Sequence, residues 1–495
     1  FWNLIDARGV RHVPPEFTPS TGPSRHCGTK HREPIALAVG FPVYRSPAFW
    51  MHVMTPSPTA EQFDVIVVGA GPAGSAAALI TARAGLKVLL LERGEYPGAK
   101  NVSGAAFYGS AIMNQLIPEW WLQAPVERYI CRRDVAMMSP TTAVSLDFRA
   151  AGPGYADPPY NGFTVLRPKF DRWFAAQAEA AGAFLLTATV VDDVLRENGR
   201  VVGVRVRREQ GEVRGRVVIA CDGSNSFLAK KTGLQREFHA HEMSLGVKEV
   251  LGLSEETIRE RFHLSGDEGM ALEYLGAITE NVRGGAFLYT NRDSLSLGVI
   301  GQISSLAEQR QRPYDLLEHF KAHPAVAPLV RGGKLREYSA HTIPEAGWNM
   351  MPKLYTDGLM VAGDAAAFCF VAGLYLEGMN YAMQSGLAAG ETAIEACRNN
   401  DCSARALSRY EHYLKQRHVY DDFKRYRHTP AFVNGERLQN LYPDLLARSM
   451  EALFRVDGNR KNKILPLARA TLRQFRIKPS HLLKDLYHAA RAYLW

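Results

Sequence analysis

The sequence predicts an α/β fold organised around a split Rossmann-type sheet, and three observations support this prediction. A complete β–α–β unit occupies residues 63–92. Two more apolar strands, over 213–220 and 358–362, each run into a turn that joins Asp to Gly. Between these two strands, residues 237–337 alternate strand and turn patterns, which indicates an inserted α+β domain.

The elements of the first unit follow from local composition. Residues 63–68 form a continuous apolar run rich in valine, as a buried parallel strand requires. The Ala-rich stretch over 75–84 predicts a helix, and Gly85 ends it. Residues 87–92 repeat the apolar run and predict the second strand.

The later elements are predicted in the same way. Helical spacing of apolar residues predicts a helix over 167–181, and Ala-rich composition predicts a long one over 378–398. Apolar β-branched runs predict strands over 184–194 and 201–207. The basic remainder, 401–495, is predicted to be helical.

These patterns divide the chain into an N-terminal extension and three further parts. The predicted bounds are 1–60 for a disordered extension or a mis-assigned start, 61–236 with 338–400 for a discontinuous cofactor-binding domain, 237–337 for a substrate domain that also takes part of 105–165, and 401–495 for the helical basic region.

Charge and cysteine content bound the function. The net charge of +9 suits a phosphate-bearing cofactor, an acidic protein or an anionic membrane surface, or serves solubility alone. The six cysteines show no CxxC spacing, which argues against a disulfide framework, a zinc site or an iron–sulfur cluster held by this chain alone. We therefore predict no metal site and a reducing, cytoplasmic compartment. No apolar run reaches the roughly 18 residues of a membrane-spanning helix.

The turn over 69–74 has the sequence GAGPAG and carries the strongest signal for chemistry. It follows a strand, opens a helix and is answered by Glu92 at the end of the second strand, which is the full context of a dinucleotide-binding fingerprint. Gly69 permits the tight turn, Gly71 lets the backbone approach a pyrophosphate, and Gly74 lets helix and strand pack closely. The helix N-terminus favours the phosphates, and the Glu92 carboxylate can accept hydrogen bonds from ribose.

Two later turns favour FAD over NAD as the dinucleotide. One strand ends in Asp222-Gly223 and another ends in Gly363-Asp364. An acidic side chain beside glycine at a strand end can bind the sugar-like ribityl chain of a flavin. Each turn alone is more often plain turn chemistry, but the three motifs in this order are specific.

Together these motifs resemble the FAD-dependent oxidoreductases of the glutathione-reductase-like type, with the aromatic hydroxylase arrangement. The resemblance implies that Glu92 binds the adenosine ribose and that Asp364 binds the ribityl hydroxyls. It also implies that Asp222 lies near the pyrophosphate.

The loop over 91–104, LERGEYPGAKNVSG, resembles the FixC-type flavoproteins of the electron-transfer flavoprotein:quinone oxidoreductase family. Supporting stretches lie at 170–174, 285–291, 341–345 and 454–458. The resemblance covers residues 61–495 and implies a wider set of FAD contacts. These further contacts are Pro72, Ala73, Arg93, Lys100, Ser103, Gly104, Arg167, Gly378, Met379 and Asn380.

The helix that begins near Gly378 has a separate role in this type of fold. Its N-terminus points at the flavin N1–O2 edge, so its dipole and backbone N–H groups should raise the reduction potential of the flavin. Glu377 is unexpected there, and two readings stay open: a functional carboxylate, or an acidic residue that interacts with the helix dipole.

The resemblance implies an enzyme whose reactive group is the flavin, with no catalytic side chain identified. It would pass electrons from an electron-transfer flavoprotein pair of alpha and beta subunits (FixA/FixB-like) toward quinone. A small ferredoxin-like protein (FixX-like) completes a Fix-like complex that supplies reductant for nitrogen fixation. Nucleic acid is not an expected partner.

A lipid-soluble quinone implies peripheral membrane contact, on the inner face of the cytoplasmic membrane. Two surfaces are candidates: the apolar stretch over 368–376 and the basic, amphipathic C-terminus over 460–495. A core segment and a subunit-docking helix are the competing interpretations.

Three other functions fit the same motifs. They are a geranylgeranyl-type prenyl reductase, an FAD monooxygenase and a non-enzymatic flavin-binding scaffold. The first two predict direct oxidation of NAD(P)H.

Overall fold

The computed structural model describes residues 62–494, apart from 102–103, 209–210, 374 and 461–462. The prediction for residues 1–60 and the predicted site residue Ser103 lie outside the described residues.

The strands divide between two large sheets and one small ribbon. They are β1 Phe63–Val68, β2 Val88–Leu91, β3 Ala105–Phe107, β4 Val126–Met138, β5 Ala143–Arg149, β6 Phe163–Val165, β7 Phe184–Leu186, β8 Val191–Glu197, β9 Arg200–Val206, β10 Glu212–Ala220, β11 Met243–Gly252, β12 Glu268–Gly276, β13 Gly284–Thr290, β14 Ser294–Gln302, β15 Lys334–Pro344, β16 Tyr355–Thr356, β17 Leu359–Val361, β18 Phe370–Val371 and β19 Leu376–Glu377.

The helices are spread along the described chain and are densest over residues 379–493. They are α1 Pro72–Arg83, α2 Ser110–Leu116, α3 Arg167–Ala180, α4 Phe227–Lys231, α5 Glu255–Phe262, α6 Ile303–Gln309, α7 Pro313–Ala322, α8 Ala327–Val330, α9 Met379–Arg398, α10 Ala404–Leu407, α11 Arg409–Gln416, α12 Val419–Arg425, α13 Thr429–Val433, α14 Tyr442–Phe454, α15 Ile464–Gln474 and α16 Pro479–Tyr493.

The first sheet has the strand order β16-β17-β10-β1-β2-β7, with the β8–β9 hairpin attached to β10. The strands from β17 to β7 run parallel, so their carboxyl ends meet at one edge. All four residues of β2 and most of β1 are buried, as a parallel strand covered on both faces requires. This sheet carries the glycine turn, Glu92 and the two Asp turns at that edge.

The second sheet has the order β15-β11-β14-β13-β12-β4-β6-β3, with β5 on β4. Its strands are antiparallel except for the parallel pair β4–β12. One face packs against α5 and α7 around a separate apolar core that includes Ile258, Leu297 and Phe320. The opposite face is therefore free to form a wall of the functional site.

Small residues allow α1 and α9 to pack backbone against backbone. A β-carbon placed on Gly386 of α9 would stand 2.0 Å from the carbonyl oxygen of Ala73 in α1. Gly390 lies over the Ile80 side chain in the same way. Both helices are rich in alanine, so their contact buries little side-chain volume and brings their N-termini together.

The predicted α/β class and the helical C-terminal region are confirmed, but two details of the sequence interpretation are wrong. Residues 184–194 form two strands rather than one, because Ala188 has φ +50° and the chain turns there. The first helix begins at Pro72 rather than near 75, because proline suits the first helical position. The predicted domain boundaries stay predictions.

The first part of the apolar stretch over 368–376, residues 368–371, is not available as a membrane-facing surface. Its first four residues, Phe368 to Val371, are buried. Phe368 and Phe370 both pack on the ring of Phe423, with centroids 5.5 Å apart in each pair. Residues 368–371 therefore belong to the core.

Arg128 ties β4 to two turns of the second sheet from a fully buried position. Its Nε donates to the carbonyl oxygen of Asn291 at 2.8 Å, and Nη1 donates to those of Gly266 at 2.9 Å and Glu268 at 3.1 Å. The guanidinium thus satisfies several buried backbone carbonyls at once.

We expect Arg128→Met to lower the free energy of unfolding by roughly 3 kcal/mol, because those carbonyls would stay buried without donors. Urea denaturation followed by circular dichroism measures the change. Arg205→Met is the control, since that side chain is 56% exposed in the β8–β9 hairpin, and it should change stability by less than about 0.5 kcal/mol. Equal stability of the two variants would contradict this role for Arg128.

Candidate cofactor site

A large cavity lies between the carboxyl edge of the first sheet and the free face of the second. Strand-end residues Val68, Leu91 and Cys221 line it on one side, and Gly246 and Ile300 line it on the other. Ligands of open α/β sheets bind outside the carboxyl ends of the strands, and this cavity has that position.

The cavity brings together most of the residues that the sequence predicts as cofactor contacts. Its lining includes Gly69, Gly71, Pro72, Ala73, Glu92, Arg93, Lys100, Arg167, Asp222, Gly223, Gly363, Asp364, Gly378 and Met379. Three predicted residues with described positions are absent from the lining: Gly74, Gly104 and Asn380.

The glycine turn has the shape that close contact with a ligand requires. Gly69 has φ +102°, and a β-carbon on Gly74 would lie 1.8 Å from the Gly69 carbonyl oxygen. Gly74 therefore serves helix–strand packing rather than the ligand. A β-carbon on Gly71 would meet only the Arg167 guanidinium, at 3.9 Å. The backbone at Gly71 is thus open to the cavity, next to a cation and the N-terminus of α1.

The Glu92 carboxylate is held beside this turn by two backbone donors. The Ala70 N–H donates to Oε2 at 3.0 Å, and the Gly94 N–H donates to Oε1 at 2.7 Å. Each carboxylate oxygen keeps a further lone pair, so Glu92 can also accept from a ligand hydroxyl.

Asp222 lines the cavity, but its carboxylate accepts hydrogen bonds from other residues of the protein. It accepts from the Ser226 hydroxyl at 2.7 Å and from the N–H groups of Phe227 at 3.0 Å and Leu228 at 3.3 Å. Burial raises the pKa of Asp222, and the bond from Ser226 opposes that rise. The side chain therefore holds the start of α4 against the cavity.

Asp364 is the partly buried carboxylate of the third motif, on the short 3₁₀ segment Gly363–Ala366. Burial raises the pKa of Asp364, and the nearby His341 and Arg167 lower it. Arg167 is fixed in turn by Asp171, with Nε to Oδ1 at 2.8 Å and Nη2 to Oδ2 at 2.7 Å. A cation and an anion thus face the same part of the cavity.

The N-terminus of α9 also opens on the cavity, through Gly378 and Met379. Asn380 turns away from the cavity, and its amide donates to Glu377 Oε2 at 2.5 Å. Tyr375 lies just before this helix, and the guanidinium carbon of Arg133 is 3.9 Å from the centroid of the Tyr375 ring. Glu377 is therefore part of a partly buried polar group with Asn380, Tyr375 and Arg133.

This polar group contains atoms without a hydrogen-bond partner in the described part of the chain. They include the hydroxyl of Tyr108 and Oε2 of Glu273. Arg133 links them, because it donates to Glu273 Oε1 at 2.9 Å and lies over the Tyr108 ring. Buried polar atoms of this kind leave room for a polar ligand.

Strand register explains which residues of the second sheet the sequence interpretation missed. The cross-strand pairs Gly246–Ile300 and Gly246–His341 place all three residues on one face, and all three line the cavity. Lys248, Phe287 and Tyr289 follow at alternate positions on the same face, as the period of a strand requires. Their pattern could be recognised only with the pairing known.

These residues fit a dinucleotide with a ring system at one end. The open glycine turn and Arg167 suit phosphates, the carboxylate at the end of β2 suits a ribose, and the second sheet supplies flat apolar and aromatic wall. In the described part of the chain, no group of three or more His, Cys, Asp or Glu side chains is arranged to hold a metal ion.

Three family models match the chain. The description "FAD dependent oxidoreductase" applies to residues 64–254, "ETF-QO, ubiquinone-binding" to 243–343, and "ETF-QO/FixC family C-terminal domain" to 428–494. The first spans the glycine turn, Glu92 and Asp222, and the second spans the strands that form the opposite wall. FAD is therefore the cofactor of this protein.

Similar proteins include a probable electron transfer flavoprotein-quinone oxidoreductase, YdiS, of Escherichia coli K12. It is 42% identical over 80% of this chain and 92% of its own length. Protein FixC of Azotobacter vinelandii is 43% identical over 81% of this chain and 92% of its own.

Solved structures with the same fold are more distant. A geranylgeranyl bacteriochlorophyll reductase-like protein from Thermoplasma acidophilum has a TM-score of 0.64 at 22% identity, over 86% of this chain and 99% of that one. CmlS, a flavin-dependent halogenase, has a TM-score of 0.58 at 19% identity, over 84% and 78%. These likenesses establish the fold of flavin enzymes.

We expect Gly71→Val to yield folded protein without FAD, because the added side chain would occupy the space beside Arg167 that the glycine leaves open. The absorbance ratio of visible flavin bands to protein measures the loss. Gly152→Val is the control, since Gly152 is exposed with nothing within 4 Å of an added β-carbon, and it should keep its FAD. If Gly71→Val kept its full content of FAD, the pyrophosphate would not bind at this turn.

Proposed function

Because the chain belongs to the family of FixC proteins and electron-transfer flavoprotein–quinone oxidoreductases, we propose that it carries electrons from an electron-transfer flavoprotein pair to quinone. The donor is a FixA/FixB-like alpha and beta pair, and a FixX-like ferredoxin is the third partner. In this proposal the assembly is a Fix-like complex that supplies reductant for nitrogen fixation.

One observation supports the proposal: the region matched by the FAD model and the region matched by the ubiquinone-binding model both line the same cavity. The strands matched by the FAD model supply the glycine turn and Glu92. The region matched by the ubiquinone-binding model supplies Gly246, Phe287 and Ile343 to the opposite wall. A quinone bound on that region would lie close to the FAD ring system.

FAD supplies the chemistry of accepting two electrons together or singly, which couples one-electron carriers to a two-electron acceptor. The quinone takes up two electrons and two protons to become the quinol. The protein positions the cofactor: Glu92 would hold the ribose, Arg167 and α1 the phosphates, and Asp364 the ribityl chain.

Stopped-flow mixing tests the electron donor. We expect reduced electron-transfer flavoprotein to bleach the flavin absorbance of this protein rapidly, and NADPH to do so slowly, because the donor in this proposal is another flavoprotein. The control mixes NADPH with the same protein at the same concentration. Fast reduction by NADPH with no reduction by the flavoprotein would instead support the prenyl reductase or the monooxygenase.

The membrane contact is proposed for the C-terminal apolar surface, which we define as the exposed apolar side chains of α15 and α16 with their flanks. Leu483 and Leu486 are both 67% exposed, and Leu494 is 77% exposed. Lys484 and Arg491 lie on the same helix, so apolar and basic groups are presented together. This combination suits an anionic lipid surface. No helix in the described residues is long and apolar enough to cross a bilayer.

We expect the protein to sediment with phosphatidylglycerol vesicles, and the double variant Leu483→Gln/Leu486→Gln to bind about tenfold more weakly because less apolar surface would enter the lipid. Leu122→Gln is the control, since Leu122 is 73% exposed far along the chain from this surface. If the wild-type protein stayed in the supernatant, the C-terminal apolar surface would be a docking site for another subunit.

A further inference from the structure

Lys248 is a lysine of β11 whose side chain lines the cavity. Its Nζ donates to the carbonyl oxygen of Gly104 at 2.5 Å and lies 4.9 Å from the centroid of the Phe287 ring. Gly298 lies between Lys248 and Phe287 in the sheet, and a β-carbon there would stand 2.8 Å from Lys248 Cγ and 2.6 Å from Phe287 Cζ. Because Gly298 has no side chain, Lys248 and the Phe287 ring can both pack over it.

The ammonium group of Lys248 has little to balance it. Among the described residues, its bond to Gly104 is its one hydrogen bond, and no carboxylate forms an ion pair with it. Lys321 belongs to α7, which packs on the other face of the same sheet, and its Nζ lies 2.9 Å from the Glu249 carboxylate of β11. An ammonium carries three donors, so Lys248 keeps donors for a ligand in the cavity.

Lys248 lies at the ring end of the cofactor site. Glu92 and the glycine turn fix the adenosine and phosphate end at the first sheet, so the ring system reaches the second sheet and the N-terminus of α9. Lys248 belongs to that wall, beside Gly246 and Phe287.

We propose that Lys248 binds the ring system of FAD and that, where its amine is neutral in the oxidised protein, it takes up a proton from solvent when FAD is reduced. Reduction adds two electrons and one proton to the ring system and leaves one extra negative charge there. The neutral amine of Lys248 becomes an ammonium beside that charge. In total, two electrons and two protons enter the site, and reoxidation releases both protons.

Burial supports this behaviour. The pKa of Lys248 is lowered to about 7, chiefly by burial and also by Arg167, while Glu337 opposes the change. Below about pH 7 the side chain is charged, and above it the side chain is neutral. Other titratable groups in the cavity wall are Glu92, Arg93, Lys100, Tyr289, Asp222, His341 and Asp364.

The proton uptake has a direct electrochemical signature. A positive charge beside the ring stabilises the reduced form, and the reduced form in turn raises the pKa of Lys248. The midpoint potential of bound FAD should therefore fall more steeply with rising pH above about 7 than one proton per two electrons allows. This inference needs only bound FAD and is independent of the electron donor and acceptor proposed above.

The experiment is a spectroelectrochemical titration of the purified FAD-loaded protein from pH 6 to pH 9, with no partner present. Lys248→Met should have a lower potential than the wild type at pH 6, and the two should converge at pH 9. Lys248→Arg should stay above Lys248→Met by a constant difference at every pH, because arginine stays charged and only the proton of the ring system is then taken up. Lys334→Met is the control, since Lys334 is an exposed lysine of the same sheet, and it should reproduce the wild-type curve.

Two results would overturn the proposal. One is a Lys248→Met curve that superimposes on the wild type at every pH with equal FAD content. The other is a Lys248→Arg curve that still bends near pH 7, because another group would then be titrating. If Lys248→Met loses its FAD, the arginine variant alone decides between these outcomes.

Discussion

The close contact between α1 and α9 is the constraint on which the rest of the site depends. At Gly386 the backbone of α9 meets the Ala73 carbonyl oxygen with no room for a side chain. Because the helices touch there, their N-termini open on the same cavity, one at Gly71 and the other at Gly378. The positive ends of two helix dipoles thus open on one cavity, which suits an anionic ligand. The Ser385 hydroxyl, next to Gly386, accepts from the Gly363 N–H at 2.9 Å and joins the third motif to the same contact.

The two walls of the cavity contribute different chemistry. The first sheet presents backbone turns and fixed carboxylates, which suit phosphate, ribose and ribityl groups. The second sheet presents alternate side chains from paired strands, and the cation among them, Lys248, has no carboxylate partner in the described residues. In our proposal the first sheet binds FAD, and Lys248 adjusts the reduction potential of its ring system. Different substitutions can therefore alter the two properties.

The sequence predicts those parts of the fold that are local in the chain. The turn over 69–74 with Glu92 lies within one β–α–β unit, so its geometry follows from glycine, proline and apolar spacing alone. Lys248 could not be found in this way, because its place on the cavity face depends on pairing with residues about fifty positions away. Residues 184–194 were misjudged for a similar reason: the turn at Ala188 is fixed by its N–H bond to the Gly94 carbonyl oxygen, a contact from another part of the chain.

The register of the first sheet also has a consequence for biosynthesis. β1 pairs with β10 through Phe63 and Gly215, and β10 pairs with β17 through Val218 and Leu359. The β1–β10 pair can therefore form only after residue 220 has been made, and the β10–β17 pair only after residue 361, and such distant pairings fold slowly. The glycine turn is made early, whereas the strands of the opposite wall and the N-terminus of α9 come later in the chain. The complete cavity is therefore available to FAD only after Ala382 has been made, and a chain truncated before β17 would lack part of the cavity lining and leave one edge of β10 open to aggregation.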